Sequence, residues 1–124
     1  MQLDIHEINK LVINLPERHE RLHKFIEEFG YIFPGETFRA INGVKADPSF
    51  HGIAEAHMNA IRHAKENNWS SVIIMEDDLY IPAKEKATLY INEAFSKVPE
   101  DWDVLLGGVY HAASLTKENN YWNR

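Results

Sequence analysis

Three consecutive carboxylates, Glu76-Asp77-Asp78, follow the apolar run Ser71-Val72-Ile73-Ile74-Met75. Packed side by side, they repel one another, and a divalent cation relieves that repulsion. Hard oxygen ligands suit Mg²⁺ or Mn²⁺. The run before them is rich in β-branched residues and reads as a buried strand. That places the carboxylates at a strand's carboxyl end, where open α/β sheets bind ligands. The residues alone leave a second reading open, a strand that runs into an acidic, solvated turn.

Other residues with chemical potential carry weaker signals. His19-Glu20-Arg21-Leu22-His23 matches H-E-x-x-H, the helical spacing of a zinc hydrolase. The inward face of that helix is expected to be Leu22, Phe25, Ile26 and Phe29, so both histidines fall on its flank. No third ligand is evident, and a solvated helix face accounts for the match. Arg18 and Arg21 lie near the start of the same helix, where helix amides and guanidinium donors suit a phosphate. Ordinary surface charge explains them equally well unless a phosphate is called for.

His57 falls on the inner stripe of a second helix, where a lone histidine is usually a hydrogen-bonded core residue. His51, His57 and His63 are spaced six apart, which turns about 600° along a helix. They share no face and cannot form a three-histidine metal site. Asn42-Gly43 is a turn signal, and Gly107-Gly108 permits close backbone approach. There is no P-loop, no G-x-G-x-x-G after a strand and no G-x-S-x-G elbow, which removes the usual kinase, dehydrogenase and α/β-hydrolase readings.

The elements that must position these residues alternate along the chain. Leu11–Leu15 is expected as a strand, then a helix from Pro16 to about Phe29 that Gly30 closes. Thr37–Ile41 is expected as the second strand. A helix from Ile53 to Asn67 carries Ile53, Ala56/His57, Ala60/Ile61 and Ala64 inward. The carboxylate strand follows. A third helix, from Ala83 to Lys97, turns Ala87, Tyr90/Ile91, Ala94/Phe95 and Val98 inward. Asp103–Leu106 is expected as a fourth strand. Such alternation predicts a mostly parallel sheet with helices on both faces. Four loops, after Leu15, Ile41, Met75 and Leu106, would then share one edge. The polar stretch from Ala112 to Arg124 breaks this rhythm, so the fold is expected either to end in a tail or to be part of something longer.

Composition bounds the function further. The 124 residues fit one domain, 44% hydrophobic and 26% charged, so the chain reads as globular. Thirteen basic against nineteen acidic residues give a net charge of −6, which argues against a broad surface for nucleic acid or anionic lipid. Cysteine is absent, which rules out disulfides and thiolate chemistry. No apolar run approaches membrane-spanning length, and no signal peptide is visible. A cytoplasmic location is the expectation.

Five segments in order resemble glycosyltransferase family 25, which includes bacterial lipooligosaccharide galactosyltransferases and collagen galactosyltransferases. They are Val12-Ile13-Asn14-Leu15-Pro16-Glu17-Arg18 with Arg21, Phe38 to Val44, His51-Gly52 through Ala60, Ile73 to Asp78, and Pro99 to Gly107. The resemblance spans about Leu11 to Gly108. It implies a GT-A-like (Rossmann-like) α/β fold, complete or as its donor-binding half. It implies a UDP-sugar donor, with galactose the suggested sugar, and inverting transfer to a glycan or protein hydroxyl, as in lipopolysaccharide biosynthesis. It further implies Mn²⁺ or Mg²⁺ on the donor diphosphate.

Carried over by position, Asp78 is the metal ligand, and Glu76 and Asp77 support the metal or hold the ribose. Asn14 and Leu15 face the base or ribose, with Asn42-Gly43 in the neighbouring loop. Arg18 and Arg21 lie near the base or diphosphate, and His57 backs the donor pocket. Family members are typically longer and continue into an acceptor-binding half. The base that an inverting transferase needs, normally a carboxylate, is expected downstream of Arg124. Asp101 and Asp103 would lie at the opposite sheet edge, so no catalytic residue is assigned. A nucleotide-sugar-binding module without turnover is the alternative, and a zinc hydrolase using His19 and His23 a more distant one.

Overall fold

The computed structural model describes residues 3–30, 38–81 and 84–107. The sheet has three strands, β1 (Asn9–Asn14), β2 (Phe38–Asn42) and β3 (Val72–Glu76), in the order β2-β1-β3. Both pairings are parallel, with Asn14 opposite Asn42 and Ile13 opposite Glu76. Parallel neighbours need crossovers, and helices provide them. A 3-10 turn, Pro16–Arg18, leads into α1 (His19–Phe29), and α2 (Ser49–Glu66) joins β2 to β3. A second 3-10 turn, Lys84–Lys86, leads into α3 (Ala87–Ser96). The fold is therefore α/β, as the alternation predicts.

The two crossovers step along the sheet in opposite directions, so right-handed connections put α1 and α2 on opposite faces. Side chains agree. Val12 and Met75 pack with Phe25 and Phe29 of α1 and Ala87 of α3, joined by Phe38, Ile73, Ile91 and Phe95. Leu11 and Ile13, which alternation turns to the other face, lie on the side of α2. Ala56, Ala60 and Ala64 of α2 are buried. These small residues at i, i+4, i+8, with Gly52 one turn earlier, let α2 sit close to the sheet. The apolar stripe expected there is narrower than predicted. Ile53 and Ile61 are exposed, and His57 lies half-buried on the flank. On α1, Ile26 is likewise exposed while Phe25 and Phe29 are buried.

Lys10 is fully buried at the start of β1. Its Nζ donates to the Ile8 carbonyl at 2.6 Å. Burial pulls its pKa down to about 8, against the opposing pull of Asp4.

Three expectations need correction. α2 begins at Ser49, a full turn before Ile53, because the extended Pro48 caps the helix and Ser49, Phe50 and His51 form its first turn, with the His51 N–H donating to the Pro48 carbonyl at 3.1 Å. The third helix is shorter than predicted, with a 3-10 turn before Ala87. Asp103–Leu106 forms no strand. Val104 and Leu106 are 77% and 62% exposed, so this short run buries too little apolar surface to offset ordering its backbone. Three strand-end loops, not four, thus share the carboxyl edge among the described residues. Thr37, Ala83, Gly108 and the stretch from Ala112 to Arg124 lie outside the described residues. No helix among those described is long and apolar enough to cross a membrane.

Candidate functional site at the carboxyl edge of the sheet

The three carboxylates take different places because β3 alternates. Asp77 lies beside Asn14, one step past the Ile13–Glu76 pairing. The buried Asn14 side chain donates through Nδ2 to Asp77 Oδ2 at 2.8 Å and to the Arg18 carbonyl at 2.9 Å. Arg21, in the first turn of α1, places a terminal guanidinium nitrogen 3.1 Å from Asp77 Oδ1. Both oxygens of Asp77 are thus committed to protein groups, and its side chain is only 12% exposed. The arrangement ties the ends of β1, α1 and β3 together.

Glu76 turns toward α2, where its Oε2 lies 3.8 Å from Nε2 of His57. That is within ion-pair range if the imidazole is protonated, but too long for a hydrogen bond. Asp78 is exposed in the turn after β3, where Leu79 N–H closes back onto the Glu76 carbonyl at 3.1 Å.

Glu76, Asp77 and Asp78 line one side of an open cleft of about 280 Å³. This is just below the roughly 300–1,000 Å³ usual for ligand pockets. Leu15 and Gly43 line its floor, and Arg21 also reaches it. Gly43 N–H donates to the Asn14 carbonyl at 2.8 Å. A Cβ at Gly43 would stand 3.1 Å from the Leu15 side chain and 3.2 Å from its amide nitrogen, so glycine lets the loops after β1 and β2 pack closely here.

The structure therefore brings Leu15, Arg21, Gly43, Glu76, Asp77 and Asp78 together. Asn14 supports them from beneath, and His57 stands just outside the lining, beside Glu76. Asn42 and Arg18 do not line the cleft. Arg18 instead pairs with Glu20 at 2.7 Å on the exposed side of α1, which holds the Glu20 carboxyl below its usual range. His19 and His23 are both exposed, with ring centroids 6.4 Å apart and nearly perpendicular planes.

The sequence reading missed Lys45, Ser49, Gly52 and Ile53, which also line the cleft. Starting α2 at Ile53 hid Ser49 and Gly52. The detectable signal was Asp47-Pro48-Ser49, a helix-opening pattern. Lys45 had none, because a single lysine in a loop marks nothing. It forms an ion pair with Glu17, Nζ to Oε1 at 2.7 Å, and this bond holds the Glu17 carboxyl below its usual range.

Among the described residues, no three His, Asp or Glu side chains stand close enough to hold a metal ion by themselves. Glu76 and Asp78, exposed on one rim, suit a cation that takes its remaining ligands from phosphate and water, the common situation for Mg²⁺. Comparison with protein families, with curated proteins and with solved structures returns no match.

Proposed function

We propose that the cleft binds a nucleotide sugar, a UDP-sugar such as UDP-galactose, together with Mn²⁺ or Mg²⁺. In this reading the chain is the donor-binding part of an inverting glycosyltransferase with a GT-A fold, as the resemblance to family 25 implies. One observation carries it. Two exposed carboxylates, Glu76 and Asp78, line a cleft with Arg21 and Gly43 where three parallel strands end.

The residues divide the work. Leu15 offers an apolar wall to the base, and Gly43 lets the ligand approach backbone. Arg21 has spare guanidinium donors beyond the one on Asp77. Asp77 and Asn14 set the position of the neighbours that touch ligand. Glu76 and Asp78 would hold the cation, which would stabilise negative charge on the departing nucleoside diphosphate.

A second reading, donor binding without turnover, also has a specific observation behind it. Among the described residues, the only acidic side chains lining the cleft belong to the triplet, and no histidine lines it. No separate base for an acceptor hydroxyl stands there among the described residues.

Calorimetric titration of the chain with UDP and UDP-galactose, with and without Mn²⁺, tests the proposal. Mn²⁺-dependent binding that Asp78→Ala abolishes is expected. Absence of binding under both conditions rejects both readings. Added acceptor then separates them: UDP release indicates transfer, and binding without release indicates the module. Stoichiometric zinc, lost in His19→Ala, would instead support the hydrolase alternative.

A further inference from the structure

The cleft carries opposite charges on its two sides. Glu76 and Asp78 stand at the end of β3, and Lys45 stands in the loop after β2. Lys45 is held by Glu17, which belongs to the 3-10 turn after β1. Their 2.7 Å ion pair therefore straps together the two loops that supply Leu15 and Gly43.

This strap is weak by construction. The side chains are 73% and 45% exposed, and exposed pairs contribute little net stability. Lys45 can exchange one oxyanion for another at small cost. The other cations near the cleft are committed differently. Arg21 faces Asp77, which is far less exposed, and Arg18 faces Glu20 outside the lining.

Charge accounting shows what Lys45 would attract. Arg21 already offsets Asp77. A divalent cation would offset Glu76 and Asp78. The charge then left inside the lining is that of Lys45, offset only by Glu17 beside the cleft. A diphosphate carries more charge than a carboxylate and more acceptor oxygens, so it outcompetes Glu17 for the ammonium.

We infer that Lys45 is a diphosphate-binding residue that Glu17 holds in reserve, and that the entering anion takes Lys45 from Glu17. The ligand's identity rests on the nucleotide-sugar reading, whereas the exchange rests on the ion pair alone.

Calorimetry on the full chain tests it with three probes: uridine, UDP and inorganic pyrophosphate, each in EDTA and in Mg²⁺. Glu17→Gln is expected to tighten UDP and pyrophosphate about threefold, the scale of one exposed ion pair, and to leave uridine unchanged. Lys45→Ala is expected to weaken both anions about tenfold, the scale of one charged hydrogen bond, again sparing uridine. In the Lys45→Ala background, Glu17→Gln should add nothing. Equal anion affinity in wild type and Glu17→Gln overturns the inference, as does an equal change for uridine. Pyrophosphate binding that responds to Glu17→Gln, without any UDP or uridine binding, upholds the exchange and rejects the nucleotide reading. A wild-type chain that binds none of the three rejects both.

Discussion

Asn14 and Asp77 meet side chain to side chain at 2.8 Å although 63 positions separate them. With Arg21 on the other oxygen of Asp77, this contact splits an acidic triplet into one anchored carboxylate and two exposed ones. The anchored residue ties three segments together, and the exposed pair lines the cleft.

Stability and binding should therefore separate by position. Asn14→Ala removes two hydrogen bonds from a buried side chain and leaves Asp77 Oδ2 without its donor. A loss of about 1–3 kcal/mol is expected, read from the urea midpoint. Asp78→Ala should stay within roughly 0.5 kcal/mol of wild type, as exposed substitutions generally do, while losing Mn²⁺-dependent UDP binding. Equal destabilisation by the two variants would contradict this division.

Gly52 marks where α2 meets the loop after β2. A Cβ there would run into the Val44 carbonyl and crowd the Ala46 amide, both backbone atoms. Neither can turn away as a side-chain tip would. Gly52→Ala should cost about 1–3 kcal/mol despite the better helix propensity of alanine. A variant as stable as wild type would show that α2 and the 43–46 stretch do not touch in solution.

Lys10 gives stability a pH dependence of known sign. Its folded pKa of about 8 lies below the unfolded value of roughly 10.4. Between these values the unfolded chain binds more protons, so stability rises as pH increases from 8 towards 10. Below pH 8 both states are protonated and the burial cost is fully present. The whole span is on the order of 3 kcal/mol. Urea midpoints across pH 7–10 should show the rise in wild type and a flatter profile in Lys10→Met. Parallel profiles would reject the assignment.

The core on the α1 face is aromatic. Phe25 lies 5.0 Å from Phe29 and stacks on Phe38 at 5.7 Å, ring centroid to centroid. Phe25→Ala should cost about 3–5 kcal/mol, a large share of the roughly 5–15 kcal/mol typical of a domain. Phe50→Ala, at a 62% exposed position, should change little. Thermal unfolding of both variants checks the contrast, and similar melting temperatures would count against this core.

Three of the four expected strands formed, legible because each carries a short apolar stretch (Leu11–Ile13, Ala40–Ile41 and Val72–Met75) and helical spacing separates them. Asp77 stood out as one of three adjacent carboxylates but not as an anchor, because its partners Asn14 and Arg21 come from distant segments. His57 was placed on the inner stripe because its neighbours are apolar. Four small residues along α2 shifted that stripe by part of a turn and left His57 on the flank. Asp103–Leu106 looked like a strand by composition, yet pairing depends on a neighbour's edge that local sequence does not report. Lys45 was invisible for the same reason, since Glu17 lies on another loop.

The division of the triplet is finally a matter of odd and even positions. Asp77 falls in the row of Asn14 only because β3 has its present length against β1. One residue inserted within β3 would bring Glu76 into that row and send Asp77 to the rim. One residue deleted would bring Asp78 there instead. Such a change would keep every acidic side chain while exchanging the anchored carboxylate for an exposed one, so the spacing of Val72–Met75 sets the arrangement of the cleft as closely as the carboxylates themselves.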